Sequence, residues 1–181
     1  MCALDKLTAM YGDGSTASVV YIPDSLQSIH VATLGDSPVI WKNRNGCEQA
    51  PEHNVRTNDK ERIEAEKRGG HFDGIYICRG GLGLQMSRSL GDRYLRGVVI
   101  QTPDIVEDHL LRNSCVVVAS DGIYTNEGEK QRMIQRLEMG ADAEDLVKFA
   151  LAIPYNRDNV TAIVFRIGEK RGKSSRARKS S

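Results

Sequence analysis

Three aspartates fall where strands give way to turns. Asp36 follows the run SIHVATL in LGDS, Asp121 follows SCVVVA in ASDGIY, and Asp158 precedes NVTAIVFRI. Each has glycine, serine or asparagine beside it. A carboxylate at the mouth of a buried strand is costly unless something pairs with it or coordinates it. Brought to one edge of a sandwich, three such groups offer the oxygen donors and negative charge that hard divalent cations take, with room for retained water. Asp, Gly and Asn also dominate turns, so spacing alone leaves a purely structural role open.

Other chemistries are excluded residue by residue. The glycines of RGGLGLQ do not extend to GxxxxGK[ST], and Gly81-Leu82-Gly83 is not completed to GxGxxG, so nucleotide cradling finds no support. HExxH, GxSxG and an EF-hand loop are absent from the sequence. A cysteine phosphatase needs arginine six residues after its nucleophile, where this chain has Thr8, His53, Leu84 and Asp121. VVVASDGIYT superficially matches the strand-Asp-x-Asp-x-Thr signature of haloacid-dehalogenase-type phosphatases, but Ile123 stands where the second aspartate belongs. The four histidines, His30, His53, His71 and His109, are isolated in the chain and read as structural.

The elements that must position the aspartates are short. ASVVYI (17–22), SIHVATL (28–34) and PVIWK (38–42) predict an antiparallel meander broken by the turn-rich PDSLQ and GDS. DKERIEAEKR predicts a helix over 59–68, with Asp59 as N-cap and Gly69-Gly70 as the stop. HFDGIYIC predicts a strand over 72–78, and SRSLGDRYL a short helix ending near Gly91. DIVEDH (104–109), SCVVVA (114–119) and NVTAIVFRI (159–167) predict further strands. Helices are expected over 129–139 and 143–152, burying Ile134, Leu137, Leu146 and Phe149 by their three- and four-residue spacing. Neighbouring antiparallel strands with helices in separate blocks favour an α+β layered fold over a parallel βαβ sheet.

With 181 residues, 40% hydrophobic and 27% charged, the chain suits one soluble domain. No apolar run reaches the length of a membrane span. MCALDKLTAMYGDG lacks the basic and apolar regions of a signal peptide. Net charge is +1, yet residues 169–181 (EKRGKSSRARKSS) hold six basic residues and one acidic residue, leaving the rest of the chain acidic. That tail is expected to be disordered, to solubilise or to contact an acidic partner. The four cysteines lack metal-binding or disulfide spacing, which suits a reducing intracellular setting, cytoplasmic or nuclear.

An ordered series of blocks carries a resemblance: DGSTA (13–17), VATLGDSPVI (31–40), ERIEAEKRGG (61–70), LQMSRSLGDRYL (84–95), TPDIVEDHL (102–110), VVVASDGIY (116–124) and NRDNVTAIV (156–164). Together they resemble the metal-dependent protein serine/threonine phosphatases of the PP2C (PPM) type. The resemblance implies a sandwich of two antiparallel sheets with helices on both outer faces, an αββα arrangement. It also implies Mg²⁺ or Mn²⁺ in an acidic cleft at one end of the sandwich. In that family the ions activate a water that attacks phosphoserine or phosphothreonine, chemistry suited to two ions about 4 Å apart. By resemblance Asp121 and Asp158 are direct metal ligands, and Asp36 helps to hold a further, weaker metal.

The departures matter equally. The family's front segment carries a phosphate-gripping arginine, a Glu-Asp pair and DGHGG, and nothing in Met1 to Tyr11 resembles it. Where the family has SDGxxD, the last position here is Thr125. Residues 1–168 are therefore read as a phosphatase domain incomplete at its N-terminus, and 169–181 as a basic tail. Two functions follow: part of a phosphatase acting on phosphoproteins, or a pseudophosphatase that binds or regulates a partner. Unpaired sheet edges are expected to favour self-association.

Overall fold

The computed structural model describes residues 2–168 of the chain; the tail expected over 169–181 lies outside the described residues. In chain order the elements are α1 (Cys2–Thr8), β1 (Gly14–Ser15), β2 (Ala17–Tyr21), β3 (Ser28–Leu34), β4 (Val39–Asn43), β5 (Gly46–Gln49) and α2 (Asp59–Lys67). Then follow β6 (His71–Phe72), β7 (Ile77–Arg79), β8 (Leu82–Leu84), β9 (Leu90–Gly91), β10 (Asp104–His109), β11 (Cys115–Ala119), α3 (Glu127–Glu138), α4 (Ala143–Leu151) and β12 (Ala162–Arg166).

Two antiparallel sheets form the sandwich, one in the order β10-β3-β2 and the other β12-β11-β4-β5. Ile29 and Val31 of β3 meet Val39 and Trp41 of β4 and Val116 of β11 between the sheets. The opposite face of the second sheet presents Ile40, Val117 and Ala119 to Met133, Ile134 and Leu137 of α3 and Leu146 and Ala150 of α4. β4 and β11 are thus covered on both sides, which is why VIW and CVVVA run apolar without alternation. Phe149 is only half-buried; the Arg136 guanidinium lies 4.7 Å from its ring centroid.

The first sheet carries no such helical layer among the described residues. Val19 and Ile105 flank Ala32 across β2, β3 and β10, and Val19, Tyr21 and Ile105 are 49%, 62% and 75% exposed. The fold is the expected antiparallel sandwich flanked by helices, with one outer layer incomplete. A third apolar cluster, Val55, Ala65, Ile77, Leu95, Val98 and Val99, sits beside the sandwich and supports α2 and the β6-β7-β8 hairpins.

Four local expectations are corrected. Asn58, not Asp59, caps α2: it holds the extended cap conformation and its side chain accepts from the Glu61 amide. HFDGIYIC is a hairpin rather than one strand, because the Asp73 carboxylate accepts from the amides of Ile75 and Tyr76 and turns the chain. SRSLGDRYL is not a helix: Gly91 and Asp92 take φ values of +74° and +45°, outside the right-handed helical region. A Cβ on Gly91 would also lie 2.2 Å from the Asp13 carbonyl oxygen. Finally, α1, β1, β5 and β8 form where no element was expected.

Candidate metal centre

Asp36 stands just beyond β3, where Gly35 turns the chain at φ +101°. A Cβ at Gly35 would meet Thr16 Cγ2 at 2.4 Å, so the turn needs glycine on two counts. The Asp36 residue is only 7% exposed, and Asn54 Nδ2 donates to its Oδ2 at 2.9 Å.

Asp121 opens a short 3₁₀ turn at the end of β11, and the Asp158 loop is latched onto that turn. Ser120 Oγ donates to the Asn159 carbonyl at 3.0 Å and accepts from the Thr161 amide at 3.0 Å. Asn156 Nδ2 donates to the carbonyls of Gly122 at 2.9 Å and Ala150 at 3.0 Å. Gly122 makes the close approach possible, since a Cβ there would lie 2.6 Å from the Asn159 carbonyl oxygen. Asp158 is oriented by its neighbour, the Asn159 amide donating to Oδ1 at 2.8 Å.

The three predicted aspartates therefore converge. All line one cavity of about 780 Å³, together with Glu52, Asn54 and Thr125, and with Arg56 and Lys130 also on its wall. Burial, and then the charges of Asp36 and Asp158, push the Asp121 carboxyl up. Burial also raises Asp36, against the lowering effect of its Asn54 hydrogen bond and with help from Glu52 and Asp158. Glu52 is raised chiefly by burial, with Asp121 adding to it. Like charges crowded in one cleft are what a cation relieves, and an all-oxygen, carboxylate-rich donor set suits Mg²⁺ or Mn²⁺. The residues present fit such an ion.

Sequence reasoning missed Glu52 and Asn54, which sit in the loop PEHN with no periodicity to mark them. It also treated His53 as isolated. His53 is fully buried, and it, Glu61 and Asp104 offer ligand atoms within 4.8 Å of one another. A cation is already present there in Arg88. Its Nη2 and Nε reach Glu61 Oε1 at 2.6 Å and Oε2 at 3.0 Å, and its Nη1 reaches Asp104 Oδ1 at 2.9 Å. Burial opposes ionisation of both acids. The bonds from Arg88 and Ser87 to Glu61, and from His53 and Arg88 to Asp104, outweigh it and hold both carboxyls below their ordinary values. This second acidic group is a satisfied ion network, distinct from the open cleft.

Residues 5–138 match the family model of protein phosphatase 2C. The match reaches further forward than the motif blocks, to take in part of α1, and ends before the Asp158 loop. A relative from Oryza sativa subsp. japonica, probable protein phosphatase 2C member 13, mitochondrial, is 31% identical over 161 residues, covering 86% of this chain and 43% of that protein. Serine-threonine phosphatase 2C from Toxoplasma gondii superposes with a TM-score of 0.65 at 20% identity, over 91% of this chain and 61% of that one. The catalytic domain of the phosphatase PstP in complex with 2 manganese ions gives a TM-score of 0.57 at 16% identity, over 91% and 66%. The chain spans about half the length of the curated relatives it matches. Among the described residues no helix is long and apolar enough to cross a membrane.

Proposed function

The chain belongs to the protein phosphatase 2C family, and from that premise we propose that it carries part of the metal centre of a metal-dependent protein serine/threonine phosphatase. Asp121 and Asp158 are the direct ligands and Asp36 the helper, for Mg²⁺ or Mn²⁺. The observation that carries this reading is the convergence of three strand-end carboxylates on one cavity, where burial and mutual repulsion raise Asp36 and Asp121.

A divalent cation held there lowers the pKa of water and neutralises charge developing on a phosphoryl group. The chain's own part is to fix the carboxylates. Ser120 and Asn156 tie the Asp158 loop to the Asp121 turn, and Asn54 orients Asp36. Arg56 and Lys130, on the same cavity wall, supply positive charge toward a phosphoprotein substrate. The pseudophosphatase reading has Thr125 in its favour. The retained and latched Asp121 and Asp158 weigh against it, since their mutual repulsion is a cost that a bound cation relieves.

The proposal extends to the domain limits, 1–168 with a basic tail over 169–181 that contacts acidic partners. It extends also to a reducing intracellular setting, cytoplasmic or nuclear, which the lack of metal-binding or disulfide spacing among the four cysteines supports. The exposed Val19, Tyr21 and Ile105, with the edges of β2 and β10 unpaired among the described residues, support self-association. Light scattering of the concentrated chain tests this, and a strictly monomeric species over a hundredfold dilution series counts against it.

Calorimetric titration with manganese(II) chloride tests the centre. The chain is expected to bind the ion, and Asp121→Ala and Asp158→Ala to weaken binding at least tenfold. Two carboxylates and a helper do not fix a bridging pair of ions. Turnover of para-nitrophenyl phosphate by residues 1–181 is therefore expected to stay at the level of the Asp121→Ala control. Manganese affinity unchanged by both substitutions overturns the assignment.

A further inference from the structure

The buried histidine that sequence spacing left without a role faces the candidate ligand Asp36 through one residue. His53 Nδ1 accepts from the Gly35 amide at 3.0 Å, and His53 Nε2 lies 3.2 Å from Asp104 Oδ2. One neutral tautomer meets both contacts, with Nδ1 as acceptor and the proton on Nε2 donated to the carboxylate. The His53 amide in turn donates to the Gly35 carbonyl at 3.1 Å. Both backbone polar atoms of the left-handed glycine are therefore held by one residue, and the adjoining Asn54 holds the Asp36 carboxylate.

The histidine is itself braced. Its carbonyl accepts from the Ser87 amide at 2.9 Å, Ser87 Oγ donates to Glu61, and Arg88 joins Glu61 to Asp104. A chain of bonds thus runs from α2 through residues 87 and 88 to the turn that presents Asp36.

Resting on the assignment of Asp36 to the metal centre, we propose that His53 is a positioning residue for that centre. Its Nδ1 fixes the Gly35 peptide and so aims the Asp36 carboxylate at the cavity shared with Asp121 and Asp158. The contact to Asp104 sets the tautomer that leaves Nδ1 free to accept. Groups bonded directly to metal ligands typically govern affinity by 10- to 100-fold; His53 acts through the Gly35 peptide, so an effect near the lower end of that range is expected.

Two substitutions separate this role from simple support of the fold. Asparagine places Oδ1 close to the position of Nδ1, keeping the acceptor for Gly35 while losing the reach to Asp104. Glutamine reaches toward Asp104 and places no acceptor at the Nδ1 position. His53→Gln leaves the buried Gly35 amide unmet and His53→Asn removes one partner of the part-exposed Asp104, so both should lower the melting temperature, the glutamine variant more. Manganese(II) chloride is titrated into the whole chain below both melting temperatures, with the free ion read by electron paramagnetic resonance. His53→Asn is expected to retain affinity within about threefold and His53→Gln to lose roughly tenfold or more. A folded His53→Asn protein that loses tenfold overturns the proposal, as does a folded His53→Gln protein that binds like the parent; each result is decisive even where the other variant fails to fold. Equal binding by the parent chain and Asp121→Ala overturns the assignment of the centre, and this proposal with it.

Discussion

Gly122→Ala is the sharpest mechanical test of how the centre is built. Gly122 is buried between β11 and the Asp158 loop, and an added Cβ would stand 2.6 Å from the Asn159 carbonyl oxygen and 3.1 Å from Asp158 Cβ. Ordinary contact begins at 3.4 Å, so backbone must move by the missing 0.8 Å. Neither obstacle is the free end of a flexible side chain. The loop is also pinned by the Ser120 and Asn156 hydrogen bonds, which stretch if it retreats. Overpacking of this kind costs about 1–3 kcal/mol. For a chain of this size that lowers the melting temperature by roughly 2–4 °C per kcal/mol. Because the displaced segment carries Asp158, manganese affinity should fall with stability. Thermal melting followed by circular dichroism, paired with calorimetric titration, reads both. A Gly122→Ala protein that melts with the parent and binds manganese equally well would refute the claim that this close approach shapes the site.

Two further outcomes follow from the charges. Asp36 and Asp121 have folded values raised above their ordinary 3.8, so the folded chain holds their protons more tightly than the unfolded chain. Their contribution to stability is full below that value and is lost as pH rises through the raised values. The metal-free chain should therefore gain urea resistance from Asp121→Asn at about pH 7 but not at about pH 4, and an equal effect at both would contradict the repulsion. Arg88→Met strands Glu61, whose side chain is 6% exposed, and removes one partner of Asp104; the loss should be about 3–5 kcal/mol in urea unfolding. Recovery of most of that loss in an Arg88→Met, Glu61→Leu double variant is the second half of the prediction, and failure to recover would show that the arginine acts by packing instead.

The legible parts of this molecule are those governed by one-dimensional periodicity. β3 and β10 emerge from the sequence with their observed limits because turns bound them on both sides. The aspartates at strand ends were readable for the same reason: a buried strand has a definite mouth. Where two good caps stand side by side, as Asn58 and Asp59 do, composition does not choose between them; the backbone does. SRSLGDRYL has the residues of a helix, but the pairing of β9 with β1 and the left-handed pair Gly91-Asp92 override it. His53 was illegible for a different reason. Its partners Gly35 and Asp104 lie 18 and 51 residues away, and no spacing rule reaches across such intervals. Glu52 and Asn54 share that fate, since only tertiary folding brings them to Asp36.

The ion network joining Glu61, Arg88, Asp104 and His53 also constrains how this chain can drift over generations. Its members come from four separate stretches, PEHN, ERIEAEKRGG, SRSLGD and TPD, and replacing any one of them alone leaves a buried polar partner behind. An apolar substitute at one position gains nothing until its counterparts change too. Each intermediate on the way is less fit to fold than either end. The network is thus a ratchet on sequence change: these stretches are expected to be inherited as a set, or exchanged as a set, and their co-occurrence records a folding constraint even though none of the four residues need ever touch a substrate.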